Sequence, residues 1–482
     1  SIYSWRGAKV DNLIRFGKDF RDARTLRLEQ NYRSTGTILK AANALISHNT
    51  GRLGKELWTD TGEGEPIQVY AAFNETDEAS FVMGRIQDCI SGGGRRDEVA
   101  ILYRSNAQSR VFEERLMQLG IPYRVYGGLR FFERAEIKDA LAYLRLIQNR
   151  NDDAAFERVI NTPARGIGNT TVDKLRQSAR TQNVSLWTAT QQAADAVGRS
   201  GGALKAFVDL IEDMAAAAKD MPLGEQVLLT VERSGLVPHY KKEKGEAGEA
   251  RIENLEELAN AARSFDYEVA DGNVSGEEGS VQDSIDPLTS FLTHAALEAG
   301  ETQGEAGSDC VQLMTLHSAK GLEFPVVFMV GLEEGLFPHQ RSVEDANGLE
   351  EERRLCYVGM TRAMRRLTLS HAETRRLHGS ENLCTPSRFL RELPAECLQE
   401  VRPQIHISRP FSGYDTRGFG GGGLRNDRVA GLKLGQHVLH QTFGEGVVLQ
   451  FEGDGARARI QVNFHDVGMK WLVVGYAKLQ PL

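Results

Sequence analysis

The sequence predicts an α/β protein in which a parallel-sheet domain is interrupted by an all-helical insertion and followed by a small β-barrel. Three observations carry this expectation. Short apolar runs alternate with helical periodicity over residues 30–126 and again over 308–404. Across 127–307 strand signals nearly vanish and helical spacing takes over. Beyond a glycine-rich stretch, 434–482 shows short alternating runs broken by glycine turns. Strands alternating with helices imply a parallel sheet, and a chain that leaves that pattern and returns to it implies an inserted domain.

Taken in order, residues 1–29 mix aromatic, basic and helical signals and end on Thr25–Leu28, which reads as a strand. Asn31–Asn49 reads as a helix, Ile67–Ala72 as a strand and Glu75–Ile90 as a helix. The run Val99–Tyr103 (VAILY) reads as a buried strand, Ala107–Leu119 as a helix and Tyr123–Tyr126 as a short strand. Ala135–Asn149, Asp152–Ile160, Thr171–Gln182 and Leu204–Ala217 carry helical spacing. Val311–Leu316 and Pro325–Gly331 resume the strands, Leu349–Met364 is a helix and Leu367–His371 a strand. Residues 405–433, with four consecutive glycines at 420–423, read as a flexible linker. The segments HVLH, GVVLQF, ARIQVNF and KWLVVGY then give the barrel.

The chain has 482 residues and an ordinary soluble balance of apolar and charged side chains. No apolar run is long enough to cross a bilayer, so no membrane partner is expected. The five cysteines are dispersed and form no C-x-x-C pair, which argues against a zinc site or disulfide framework and fits a reducing cytoplasm. The net charge of −8 is local in origin. Residues 264–310 hold eleven acidic residues and no Lys or Arg, leaving 58 basic against 55 acidic residues elsewhere. A basic nucleic-acid track is therefore compatible with the composition.

Several clusters carry chemistry. Ser1–Ala8 places Tyr3 and Trp5 beside Arg6; aromatic faces stack on unpaired bases and a guanidinium reaches a phosphate, although such aromatics also fill cores. In Leu28–Ser34, Tyr32 offers a planar face and Arg33 a forked donor. Arg104 and Asn106 follow a strand end, where parallel sheets place ligands. Thr315–Phe324 (TLHSAKGLEF) and Gly331–His339 (GLEEGLFPH) set hydroxyl, imidazole and carboxylate groups just past another strand. Glu350–Ala363 is a charged helix ending at Arg362, with i,i+4 pairs such as Glu350–Arg354. The turn Asn161–Gly168, with Thr162, Gly166 and Gly168, exposes backbone N–H groups that can grip duplex phosphates.

These blocks, in this order, resemble motifs III to VI of superfamily 1 DNA helicases of the UvrD/PcrA/Rep group, and the resemblance covers nearly the whole chain. It implies a RecA-like fold for the sheet domain (30–126 and 308–404, domain 2A) and a remnant of the first RecA-like domain (1A) at 1–29. It further implies the helical insertion 2B at 127–307 and a Tudor-like, SH3-like barrel at 434–482. By resemblance ATP is the cofactor: Tyr32 stacks on adenine, Arg33 and Arg362 meet the γ-phosphate, Glu323 binds the ribose and Arg6 also binds the nucleotide. Tyr3, Trp5, Arg104, Asn106, Thr315, His317 and His339 contact single-stranded DNA. Thr162, Gly166 and Gly168 contact duplex, and His378 stands where the family carries an aromatic hairpin tip at the strand junction. The implied activity is 3′→5′ translocation and duplex unwinding in DNA repair. The implied partners are a single-strand/duplex junction, RNA polymerase through the barrel, and proteins of mismatch and nucleotide-excision repair, in a bacterial cytoplasm at the nucleoid.

The 482 residues contain no G-x-x-x-x-G-K-[ST] phosphate loop and no D-E-x-x-D string. The chain opens on Ser1, with neither a basic nor an apolar leader signal. The expectation is a start within a longer protein, with the Mg²⁺ ligands upstream and no metal ligand in this chain. The competing reading is a non-enzymatic fragment that binds DNA and RNA polymerase without ATPase activity.

Overall fold

The computed structural model describes residues 26–50, 56–194, 199–243, 246–270, 286–300, 307–343, 346–377 and 380–401, a few residues before 26, and the strand segments between 428 and 481. The sheet is built from β1 (Ile67–Ala72), β2 (Val99–Tyr103), β3 (Tyr123–Val125), β4 (Val311–Thr315), β5 (Phe324–Met329) and β6 (Ala363–Ala372). A hairpin of β7 (Thr374–Leu377) and β8 (Ser380–Leu383) follows, and β9 (Leu398–Val401) completes the sheet. The seven strands lie in the order β3-β4-β2-β5-β6-β1-β9, all parallel. All five residues of β2 are buried, as expected of a central strand covered on both faces. The register pairs Tyr103 with Thr315 and Leu102 with Met329, so β2, β4 and β5 end side by side. In parallel sheets, ligand sites lie beyond such carboxyl ends.

Helices α1 (Gly36–Ser47), α2 (Glu75–Ser91) and α3 (Ser109–Gln118) belong to the first half of this domain. Between β3 and β4 the chain forms α4 (Ala135–Gln148), α5 (Asp153–Val159), α6 (Asn169–Gln182), α7 (Leu186–Ala194) and α8 (Arg199–Ala218). It continues with α9 (Leu223–Arg233), α10 (Leu236–Lys241), α11 (Glu246–Ala270) and α12 (Pro287–Gly300). These helices bury their own core, including Tyr143, Phe156, Phe207 and Phe291, separate from the cores on the two sheet faces. Helix α11 also reaches back to the sheet domain. Its Glu257 pairs with Arg110 at 2.5 Å, and Asn260 donates to the Arg376 carbonyl at 3.2 Å. Helix α13 (Ala346–Met360) leads into β6.

Residues 406–482 form a second compact unit. Its main sheet contains β12 (His437–His440), β13 (Gly444–Glu452), β14 (Arg459–Phe464), β15 (Gly468–Val473) and β16 (Gln480–Pro481), after a short pair β10 (Arg428–Val429) and β11 (Leu432–Lys433). The order is β15-β14-β13-β12-β16, antiparallel throughout. Among the described residues no helix is long and apolar enough to cross a membrane.

Three expectations need correction. Leu26 and Leu28 are exposed and pair with no strand, so the apolar run ending at Leu28 is not a strand. Helix α1 starts at Gly36 rather than Asn31, because the Asn31 side chain accepts the Arg33 and Ser34 N–H groups and holds a turn. The helix expected to run to Met364 stops at Met360, and β6 extends over ten residues from Ala363.

Candidate functional site

The turn at Asn31 sets Arg33 against the start of β6. Asn31 Oδ1 accepts from Arg33 N at 2.8 Å and Ser34 N at 2.9 Å, while the Ser34 hydroxyl donates to the Ala363 carbonyl at 2.7 Å. The Arg33 guanidinium then reaches Glu323 Oε2 at 2.6 Å and the Thr361 carbonyl at 3.3 Å. Arg362, just beyond α13, lies near both. It donates to the carbonyls of Val358 and Leu322, both at 2.9 Å, and to the Thr361 hydroxyl at 3.3 Å. The Phe324 N–H bonds the Arg362 carbonyl at 3.0 Å, tying the loop before β5 to the end of α13. Three distant segments thus bring Arg33, Glu323 and Arg362 together. Tyr32, next to Arg33, is 80% exposed, with its hydroxyl donating to Gln30 Oε1 at 2.8 Å.

Burial, together with the nearby charge of Arg33, pushes Arg362 down to about 10, with Glu323 opposing the shift. Arg362 remains charged at neutral pH. Two guanidinium groups facing a single carboxylate leave an excess of positive charge, and an anion placed there relieves the repulsion between them.

The second feature lies at the ends of β2 and β4. A cleft of about 420 Å³ is lined by Arg104, Asn106, Thr315, His317 and His339, together with residues of α11. All five were singled out from the sequence. The Thr315 and Ser318 hydroxyls are 3.0 Å apart, and Ser318 N donates to Thr315 Oγ1 at 3.2 Å, which shapes the loop after β4. Arg104 is held by Glu352 in a forked pair of 2.9–3.1 Å, and Glu352 also accepts from His339 N at 3.1 Å. Glu352 is buried, so it fixes Arg104 and His339 from within the fold. Sequence reading missed this, and it missed Ser105, Ser318 and Arg341 as cleft residues.

Other expected residues lie elsewhere. Thr162, Gly166 and Gly168 form the turn between α5 and α6 and do not line the cleft. Gly166 has φ +76° with open space where a Cβ would stand, and Gly168 precedes α6. Arg165 braces this turn through the Val159, Pro163 and Ser234 carbonyls at 2.8–3.1 Å. Tyr3, Trp5, Arg6 and His378 fall outside the described residues. The hairpin that carries His378 is anchored at Arg375, whose buried guanidinium meets Glu333 at 2.6 and 2.8 Å and Glu78 at 2.6 Å. Although burial works against ionisation, the Arg375 charge and its hydrogen bonds hold Glu333 below the usual carboxylate range. Among the described residues, Glu114, His294 and Glu298 place metal-capable atoms within 4.8 Å of one another. They already form pairs, His294 with Glu298 at 3.0 Å and Glu114 with Arg110 at 2.6 Å, and none belongs to the Arg33–Arg362 cluster.

Residues 26–374 match the family described as the UvrD-like helicase C-terminal domain. The chain belongs to the UvrD-like helicases. Residues 434–480 match the PcrA/UvrD tudor domain, which covers the antiparallel sheet of the second unit. Among UvrD-like relatives, the chain is 56% identical to DNA helicase II of Escherichia coli over 483 residues, spanning 100% of this chain and 65% of the relative. It is 52% identical to DNA helicase II of Haemophilus influenzae, over 100% of this chain and 64% of the relative. It is 38% identical to the ATP-dependent DNA helicase PcrA of Bacillus subtilis, over 100% of this chain and 65% of the relative. The chain therefore spans about two thirds of the length of these UvrD-like proteins.

Proposed function

We propose that this chain is the carboxy-terminal part of an ATP-dependent DNA helicase, providing one wall of the nucleotide site and part of the single-strand track. Residues 30–126 and 308–404 act as the second RecA-like domain (2A), 127–307 as the inserted domain (2B), 1–29 as the end of the first RecA-like domain (1A), 405–433 as a linker and 434–482 as a Tudor-like barrel. Tyr32 stacks on the adenine base. Arg33 turns from Glu323 to the γ-phosphoryl oxygens, Glu323 accepts from the ribose hydroxyls, and Arg362 neutralises charge developing on the phosphate. Such catalysis is mainly positioning and electrostatic stabilisation. The Mg²⁺ ligands and phosphate loop are expected outside these 482 residues.

Arg104, Asn106, Thr315, His317 and His339 hold one strand, and Thr162, Gly166 and Gly168 hold duplex phosphates. Tyr3 and Trp5 stack on bases, Arg6 contacts the nucleotide, and His378 abuts the junction. The motor steps 3′→5′ in repair, and the barrel contacts RNA polymerase. The observation that supports this reading is the convergence of Arg33, Glu323 and Arg362, from three separate segments, beside an exposed Tyr32.

The test is strand displacement by the intact protein on partial duplexes with a 3′ or a 5′ single-stranded tail. ATP- and Mg²⁺-dependent displacement only from the 3′ tail is expected; displacement only from the 5′ tail overturns the polarity, and none overturns the motor reading. The 482 residues alone are expected to bind DNA without turnover. DNA-stimulated hydrolysis by them at the rate of the intact protein contradicts the division of the site. The second reading, a DNA- and RNA-polymerase-binding fragment with no motor, is favoured by the lack of a phosphate-loop sequence in these residues.

A further inference from the structure

The cleft at the ends of β2 and β4 is lined on one side by α11, whose polar groups there are the carboxylates of Glu249 and Glu253, beside Ala247 and Ala250. Glu253 uses both oxygens. One accepts the Ser105 hydroxyl, just past β2, and the other lies 3.4 Å from His339 Nε2. One turn earlier on the same helix face, Glu249 pairs with Arg341. The donors come from the sheet domain and the acceptors from the helical insertion. Burial raises the Glu253 carboxyl, but hydrogen bonds from His339 and Ser105 and the charge of Arg104 outweigh it and hold the group below its ordinary value. Glu253 is thus kept as an anion by the groups around it.

A carboxylate with each oxygen on a separate donor imitates the two terminal oxygens of a phosphodiester. Two carboxylates at i and i+4 stand about 5–6 Å apart at their β-carbons, a spacing suited to neighbouring phosphates of a single strand. Arg104 is neutralised within the fold by Glu352, whereas Arg341 is mostly exposed and meets its carboxylate on the insertion.

We infer that Ser105 and Arg341 are strand-phosphate contacts in the same track as Thr315, His317 and His339, and that Glu249 and Glu253 hold the places of two successive phosphates in this arrangement. The inference rests on the reading of the cleft as a single-strand site. A strand entering the cleft displaces both carboxylates, so α11 must move away from Ser105 and Arg341 as DNA binds.

The experiment measures binding of a fluorescent single-stranded thymidine oligonucleotide to the 482-residue chain between 50 and 200 mM salt. Arg341→Ala is expected to weaken binding several-fold and to lower the salt slope by about one. Ser105→Ala is expected to weaken it with the slope unchanged, and Arg341→Lys to restore most of the affinity. Glu249→Gln is expected to tighten binding, and that gain should vanish in the Arg341→Ala background, where the displaced ion pair no longer exists. Unchanged melting temperatures would show that the variants are folded. If the unaltered chain binds at 50 mM salt while Arg341→Ala and Ser105→Ala leave affinity and slope unchanged, the inference is overturned and the cleft reading stands. An undiminished Glu249→Gln gain in the Arg341→Ala background also overturns it, since the effect is then general repulsion. If the unaltered chain does not bind even at 50 mM, the cleft reading itself fails.

Discussion

Replacing Arg375 by Met tests how the hairpin β7–β8 is fixed to the sheet. Arg375 is buried between Glu333 and Glu78 and donates three charge-assisted hydrogen bonds of 2.6–2.8 Å. The carboxylates keep other donors after the substitution. Glu78 retains Gly331 N at 2.9 Å and the Ser370 hydroxyl at 2.7 Å, and Glu333 retains Ala372 N at 2.7 Å. What is lost is their countercharge. Breaking a buried ion pair from one side costs about 3–5 kcal/mol. For a domain of this size, each kcal/mol lowers the melting temperature by about 2–4 °C, so a drop of roughly 6–20 °C is expected at pH 7.

The penalty depends on pH in a defined direction. In the native chain the folded-state pKa of Glu333 is lowered, so its contribution is present above the unfolded value and lost as pH falls through the folded one. Without Arg375 the folded-state value rises above the unfolded one, because Glu333 is then buried beside Glu78 with no cation. The variant is therefore most destabilised at neutral pH, and its deficit shrinks on acidification toward pH 5. Thermal melting at pH 7 and pH 5, with the exposed Arg366→Met as a control, measures both effects. A drop below about 2 °C at pH 7, or a deficit that grows at pH 5, would refute the reasoning.

Further outcomes follow from other parts of the structure. Asn31→Ala removes the acceptor for two backbone N–H groups; it should cost about 0.5–2 kcal/mol by the measure of helix caps and weaken nucleotide binding through displacement of Arg33, readable in denaturation and in nucleotide titration. His371 is held below its ordinary value, chiefly by burial, and its Nδ1 has no hydrogen-bond partner. Its contribution to stability is present above the unfolded pKa near 6.5 and is lost as pH falls through the folded value, so melting of His371→Phe should depend less on pH on the acid side; an unchanged acid limb would contradict this. Glu352→Ala removes the buried carboxylate that accepts from Arg104 and from His339 N and should be destabilising, with a melting temperature unchanged to within a degree as the contrary result.

The parts of the fold legible in the sequence are those set by local burial. Val99–Tyr103 is a strand over the expected residues because a strand covered on both faces is an unbroken apolar run, and Ile67–Ala72, partly buried and broken only by Gln68, is a strand over the expected residues as well. The first half of β6 was hidden by Arg365 and Arg366, which are exposed charges on a strand that pairs on both sides. Strand order, with β9 at the edge beside β1, depends on contacts far apart in the chain and leaves no local signal. The same division holds at the site. Arg33, Glu323 and Arg362 could be named from motif order, and so could the five cleft residues. The pairing of Arg104 with Glu352 and of Ser105 with Glu253 spans 248 and 148 residues, and nothing near either partner announces it.

The central claim is that Arg33 and Arg362 form a cationic wall against the nucleotide phosphates. The most direct test is single-strand-stimulated ATP turnover by the intact protein carrying Arg362→Ala, measured together with its affinity for DNA. The account predicts a fall in kcat of about 10²–10³-fold, by analogy with the loss of a charge-stabilising donor, and little change in DNA affinity. Turnover within a factor of two of the unaltered protein would contradict it.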